Sequence, residues 1–292
     1  MNRSVIAGTD GSPAASEAVR WAAREAVLRA KPLRIVHVRE QWAGDVPVHT
    51  MKNYRDPEAK HCRAMLADAA EAARASAPGL EVTTALVDGD LVQRLLEESE
   101  AADQVVIGSR GQGGFAGLLL GSVGMGVAGH AGCPVVIVRG DSATRHDRIV
   151  AGVDGSEGAE AALAHAFAEA EIRGAAVHAV HAWQPPGLSR PAVESGSMGE
   201  GIIAERGVFL RRVLAPWRER FPRVTVTESI VCGHPVGALR DASTEADMVV
   251  VGSRGHGLLA SAVFGSVSHG VLHHAHCPVA VVRPKGPAPE PA

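Results

Sequence analysis

The chain has 292 residues, 46% of them hydrophobic, and a formal charge of −3 at pH 7, with an isoelectric point near 6.5. That length provides for two domains of ordinary size, each with its own core, and the missing basic surplus argues against nucleic acid as a partner. No run of roughly 18 apolar residues marks a membrane span, and no apolar leader stands in the opening MNRSVIAGTD, so a cytoplasmic protein without a membrane partner is expected.

Taken in order, Asn2 to Gly8 reads as a short apolar strand. T-D-G-S-P follows, with Ser12 suited to cap a helix and Pro13 to its first position, so a helix is expected to about Ala30. Leu33 to Val38 reads as a buried strand. Residues 40–56 read as irregular because Gly44, Pro47 and Pro57 interrupt any period, and a helix is expected from about Pro57 to Ala75. A third strand spans Leu80 to Val87, a helix runs from Gly89-Asp90 through Glu100, and a fourth strand covers 104–107. A glycine-rich loop, a helix from Ser122 and a fifth strand over 135–138 complete the unit. Strands alternating with helices, and strands that are continuously apolar, predict a parallel sheet covered on both faces.

After the polar stretch 140–147 the chain starts again. A constant offset of 144 residues relates Asp10 to Asp154, His37 to His181, Gly89 to Gly233 and Cys133-Pro134 to Cys277-Pro278. Agreement over most of the length marks a duplicated domain. The expected division is a first nucleotide-binding domain over 1–139, a linker over 140–147, a second such domain over 148–283 and a disordered proline-rich tail over 284–292. The halves differ most in 40–56 and 184–200. The cysteines Cys62, Cys133, Cys232 and Cys277 form no CxxC, and the repeat equivalents Cys133 and Cys277 read as buried reduced thiols.

The richest signal is a spacing, G-x2-G-x9-G-S, present as Gly108, Gly111 and Gly121-Ser122 and again as Gly252, Gly255 and Gly265-Ser266. A buried strand emptying into a glycine loop, followed by a helix start, suits an anion. Glycine permits close backbone approach, and the unpaired N–H groups and dipole of the helix start favour negative charge. The alternative is a plain strand-to-helix turn, which identical register in two copies disfavours. Asp10 and Asp154 lie just past the first strand of each half, where open parallel sheets collect ligands. They read either as acceptors for ribose hydroxyls or as turn residues. Arg110 and Arg254 read as phosphate-screening or solvated, and Ser109 and Ser253 in the same loops join the candidate set.

On these motifs the chain resembles the universal stress protein family in its tandem-domain, ATP-binding form. The resemblance covers roughly residues 1–139 and 148–283. It implies two doubly wound α/β domains, each a five-stranded parallel sheet in the order 3-2-1-4-5, with ATP at the carboxyl edge and Mg2+ as an optional companion. It further implies adenine contacts around Gly8 and Val38, ribose contact from Asp10, and phosphate contacts from Gly108, Gly111, Gly121, Ser122 and Val123. The matching second set is Gly152, Ala182, Asp154, Gly252, Gly255, Gly265, Ser266 and Val267, with Ala182 offering a base less apolar surface than Val38.

A regulatory protein is expected rather than an enzyme, since no metal-holding acid, base or nucleophile pair stands out near the motif. The alternatives are a slow ATPase or nucleotide-transferring enzyme on the same fold, and a protein-interaction scaffold with vestigial sites. His269, His273, His274 and His276 crowd one helix end, but the first half carries Met125 and Gly129 at the first two places, so a structural role is expected and no metal. The fifth strands, edges in the implied order, are expected to pair the two halves within the chain, with a homodimer as the alternative.

Overall fold

In a computed structural model, the structure describes residues 3–40, 48–111, 121–140, 142, 144–184, 197–255 and 264–284. The chain forms two compact units, Met1–Val138 and Arg139–Ala292. In the first, β1 (Ser4–Gly8), α1 (Pro13–Leu28), β2 (Leu33–Arg39), α2 (Val48–Ser76), β3 (Val82–Asp88), α3 (Leu91–Glu100), β4 (Ala102–Gly108), α4 (Ser122–His130) and β5 (Val135–Val138) follow one another. The second repeats the series as β6 (Arg148–Gly152), α5 (Glu157–Arg173), β7 (Ala176–Trp183), α6 (Ser197–Arg220), β8 (Val226–Cys232), α7 (Pro235–Ala242), β9 (Met248–Gly252), α8 (Ser266–His274) and β10 (Val279–Val282).

Within each unit every pair of neighbouring strands is parallel, in the orders β3-β2-β1-β4-β5 and β8-β7-β6-β9-β10. The central strands are buried on both faces, as Val5, Ala7, Val105 and Val106 show in the first unit and Ile149, Val150, Val249 and Val250 in the second. The outermost β3 exposes Thr83 and Thr84, as suits an edge strand. In the first unit α1 packs on α2, and α3 on α4.

Ser12 caps α1 by accepting a hydrogen bond from the N–H of Ala15 at 3.2 Å, with Pro13 at the first helical position. Ser156 caps α5 in the same way through Ala159 N–H at 3.2 Å. Asp90 caps α3 through Gln93 N–H at 2.8 Å. The irregular stretch expected over 40–56 is helical from Val48 onward, and α2 runs through Pro57. A proline removes one helical hydrogen bond and crowds the preceding turn, yet 29 residues of helix absorb that loss. Likewise α6 begins at Ser197 and carries Pro216 inside it. Residues 41–47, 185–196 and most of the proline-rich tail lie outside the described residues.

Cys133 and Cys277 are buried where the chain enters β5 and β10, and burial pushes both thiols up to about 12. Cys62 is buried too, its thiol raised by burial and then by the Glu58 carboxylate. Only Cys232 is half-exposed. Because the thiolate is the reacting form, Ellman's reagent at pH 8 is expected to label Cys232 quickly in the native protein and all four cysteines only after denaturation. Equal rates for Cys133, Cys277 and Cys232, read by peptide mapping, would contradict this burial.

Candidate functional site

In both strand orders the first and fourth strands of a unit are neighbours, and the chain winds outward from them in opposite directions. This is where open α/β sheets bind ligands, beyond the carboxyl ends of the strands. The turns leaving β1 and β6 hold Asp10 and Asp154. Asp10 Oδ1 accepts from Ser12 N–H at 3.0 Å, and Asp154 Oδ1 accepts from the N–H and hydroxyl of Ser156 at 2.9 and 2.6 Å. The glycine that follows each aspartate is left-handed, with φ of 79° at Gly11 and 86° at Gly155, as a turn this tight requires.

The other carboxylate oxygen faces the glycine loop. A Cβ on Gly111 would stand 2.6 Å from Asp10 Oδ2, and one on Gly255 would stand 2.6 Å from Asp154 Oδ2. One oxygen therefore holds the turn, as the turn reading of these aspartates expects, while the second lies across the crevice.

The described motif glycines are not left-handed, and at Gly108 and Gly252 close approach explains the missing side chain. Gly108 presses on the first turn of α1, where a Cβ would lie 2.7 Å from the Ala14 carbonyl carbon. Gly252 presses on Gly158 of α5, with backbone atoms 2.5 Å from the same point. At both positions the contact a side chain would block is helix backbone. Gly111 and Gly255 line the crevice itself.

The motif's two ends meet through the backbone. Gly121 N–H donates to the Ser109 carbonyl at 3.0 Å, and Gly265 N–H to that of Ser253 at 2.9 Å. Ser109 and Ser253 are buried, their N–H groups bonded to the Val138 and Val282 carbonyls. Gly121 and Gly265 are the N-caps of α4 and α8, and neither helix start has a side-chain cap. The first-turn N–H groups around Ser122-Val123 and Ser266-Val267 thus keep the dipole's positive end available. Ser122 and Ser266 are exposed, as are Arg110 and Arg254. Neither arginine has a carboxylate partner among the described residues.

In the second unit these parts enclose a cleft of about 180 Å³ that brings together Gly152, Asp154, Ala182, Gly252, Arg254, Gly255, Gly265, Ser266 and Val267. Ser253 is not on its wall. Sequence reasoning missed its apolar side, which Val153, Val180, Pro235, Leu239 and Val251 supply, and also Ser268, whose hydroxyl donates to the Gly252 carbonyl at 2.5 Å. The 144-residue offset could have indicated Leu239, because it matches Leu95. Each of these leucines stands over the glycine that ends the first strand, within 3.6 Å of a Cβ on Gly8 and 3.2 Å of one on Gly152. Val38, at the end of β2, is buried at the place of Ala182.

Two histidines repeat as well. His37 Nδ1 bonds the Thr9 carbonyl at 2.8 Å and His181 Nδ1 that of Val153 at 2.7 Å, tying the second strand to the turn that carries the aspartate. On α8, His269 and His273 lie with ring centroids 4.6 Å apart. Burial and then the His269, His274 and Arg139 charges lower the His273 pKa. No group of three metal-ligating side chains occurs among the described residues.

A doubly wound domain present twice, with a glycine loop and helix start facing an aspartate, defines a class of tandem α/β proteins. The profile of the universal stress protein family matches residues 1–139 and 145–283. The chain belongs to that family. It is 40% identical over 293 residues to a universal stress protein of Mycobacterium tuberculosis strain H37Rv, covering 96% of both chains. It is 34% identical over 292 residues to one from Mycolicibacterium smegmatis, covering 96% of this chain and 97% of the relative. The crystal structure of a universal stress protein from Archaeoglobus fulgidus shares the fold, with a TM-score of 0.70 and 22% identity over 97% of each chain. No helix among the described residues is long and apolar enough to cross a membrane.

Proposed function

We propose that the protein is a cytosolic ATP-binding regulator with one adenine-nucleotide site in each unit. The observation that carries this reading is the second unit's cleft, where an apolar side and an anion-favouring side meet at one aspartate. The base lies against Val180, Ala182 and Leu239, Asp154 Oδ2 accepts from the ribose, and the phosphates run toward Gly255, Gly265-Ser266 and Arg254. The cleft's volume of about 180 Å³ is below the roughly 300–1,000 Å³ of enclosing small-molecule pockets. The triphosphate therefore remains partly in solvent, where Mg2+ can accompany it. The first unit holds its nucleotide through Gly8, Asp10, Val38, Gly111, Gly121, Ser122 and Val123.

A regulatory role follows from the chemistry of the lining. Among the described lining residues of the cleft the only carboxylate is Asp154, whose Oδ1 is bonded within the turn and whose Oδ2 this reading assigns to the sugar. Among the described lining residues no second acid or base stands to hold a metal and position water, as phosphoryl transfer requires. Mass spectrometry of nucleotide released by denaturing freshly purified protein tests the reading. Intact ATP is the expected result; ADP would indicate a slow ATPase, and no nucleotide a scaffold with vestigial sites.

A further inference from the structure

A second and larger cavity, about 460 Å³, lies in the second unit between α5 and α6. It adjoins the cleft, since Ser156 and Ala159 line both. Its apolar surface comes from Val213, Pro216 and Trp217 on α6. Trp217 is held in place by Phe167, whose buried ring stacks at 5.9 Å and 23°, and by Phe221 at 6.4 Å and 23°. Arg212 and Arg220 stand at the same cavity, both exposed. Arg220 reaches over the Trp217 and Phe221 rings, with its guanidinium carbon 5.9 and 5.4 Å from their centroids. Neither arginine has a carboxylate partner among the described residues. Glu160 is the one acid on the lining, so two guanidinium charges face a single carboxylate.

The duplication supplies an internal comparison. At the 144-residue offset the first unit carries Asp68 for Arg212, Ser76 for Arg220, and Ala23, Ala73 and Ala77 for Phe167, Trp217 and Phe221. Those three alanines are buried in the first unit. The first unit thus fills these three places with small residues, with Trp21 and Leu66 buried elsewhere on the same two helices. The aromatic cluster and both arginines belong to the second unit only.

We propose that this groove is a binding site for a small aromatic carboxylate, adjoining the nucleotide cleft. The ring lies against Trp217 and Val213, replacing water on an apolar surface, and the carboxylate turns outward to Arg212 and Arg220. Aromatic stacking and apolar burial give affinity, and a planar carboxylate matches the guanidinium fork. A volume of about 460 Å³ falls in the range of small-molecule sites. A neutral molecule of the same shape leaves the guanidinium pair without its anion and binds less well.

The test uses the full chain without added nucleotide, with 2-naphthoate as probe and its neutral alcohol, 2-naphthalenemethanol, as control. Calorimetric titration is expected to find one naphthoate site per chain and at least tenfold weaker binding of the alcohol. The variants R212D and R220S install the first unit's residues at exposed positions, and thermal melts monitor their folding. Each is expected to weaken naphthoate at least tenfold. Trp217→Phe is expected to remove the fluorescence quenching that naphthoate causes. No saturable binding, equal binding of the alcohol, or unchanged affinity in folded R212D and R220S overturns the proposal.

Discussion

Gly252→Val is expected to lower the stability of the second unit by about 3 kcal/mol, the upper end of ordinary overpacking costs. Gly252 ends β9, paired with Val282 of β10 on one side. Its missing side chain faces Gly158, whose carbonyl carbon and oxygen lie 2.5 Å from where a Cβ would stand. These are backbone atoms in the first turn of α5, so relief requires moving the helix start off the sheet. That helix start also carries Ser156 and positions Asp154. At roughly 2–4 °C per kcal/mol for a unit of this size, the melting of the second unit is expected to fall by about 6–12 °C. Gly158→Ala is expected to strain the same contact from the helix side, because a Cβ there would stand 2.0 Å from the Arg254 carbonyl oxygen, although the first unit carries Ala14 at the equivalent place. A Gly252→Val protein melting within about 2 °C of the parent would show that α5 is not seated as described.

Gly255→Val is expected to leave the fold intact and to remove the second nucleotide site, and Gly111→Val the first. Both glycines are exposed and outside regular structure. The new Cβ would lie 2.6 Å from the Oδ2 of the facing aspartate. That carboxylate is short and its Oδ1 is already held by Ser12 N–H or by Ser156, so it can yield only by giving up its turn or its place in the crevice. The valine also holds phosphate away from the backbone. Losing two charge-assisted hydrogen bonds removes on the order of 3 kcal/mol, about a hundredfold in affinity. ATP affinity within about threefold of the parent, with an unchanged melting temperature, would contradict the crevice geometry.

Much of the architecture was legible because parallel strands, buried on both faces, write themselves as unbroken apolar runs, as at Val105–Ile107 and Val249–Val251. The 144-residue offset then read each half against the other. What a glycine does was harder to see. Gly108 and Gly252 were legible as positions needing no side chain, but the partner that forbids one is a helix start about 95 residues away in the chain. The extension of α2 before Pro57 was hidden because proline reads as a stop, although a long helix tolerates the loss of one bond. Leu239, Val180 and Val251 carry ordinary core patterns, and only the tertiary structure separates a core leucine from one that walls a cleft. Trp217, Arg212 and Arg220 on α6 drew no attention for the same reason, since helical spacing does not show what lies across from them.

The account rests on two adenine-nucleotide sites in one chain. Calorimetric titration of nucleotide-stripped full-length protein with ATP and Mg2+ tests that claim most directly. Two sites per chain are predicted, falling to one in Gly111→Val and to one in Gly255→Val. A parent protein that takes up one ATP or none would contradict it.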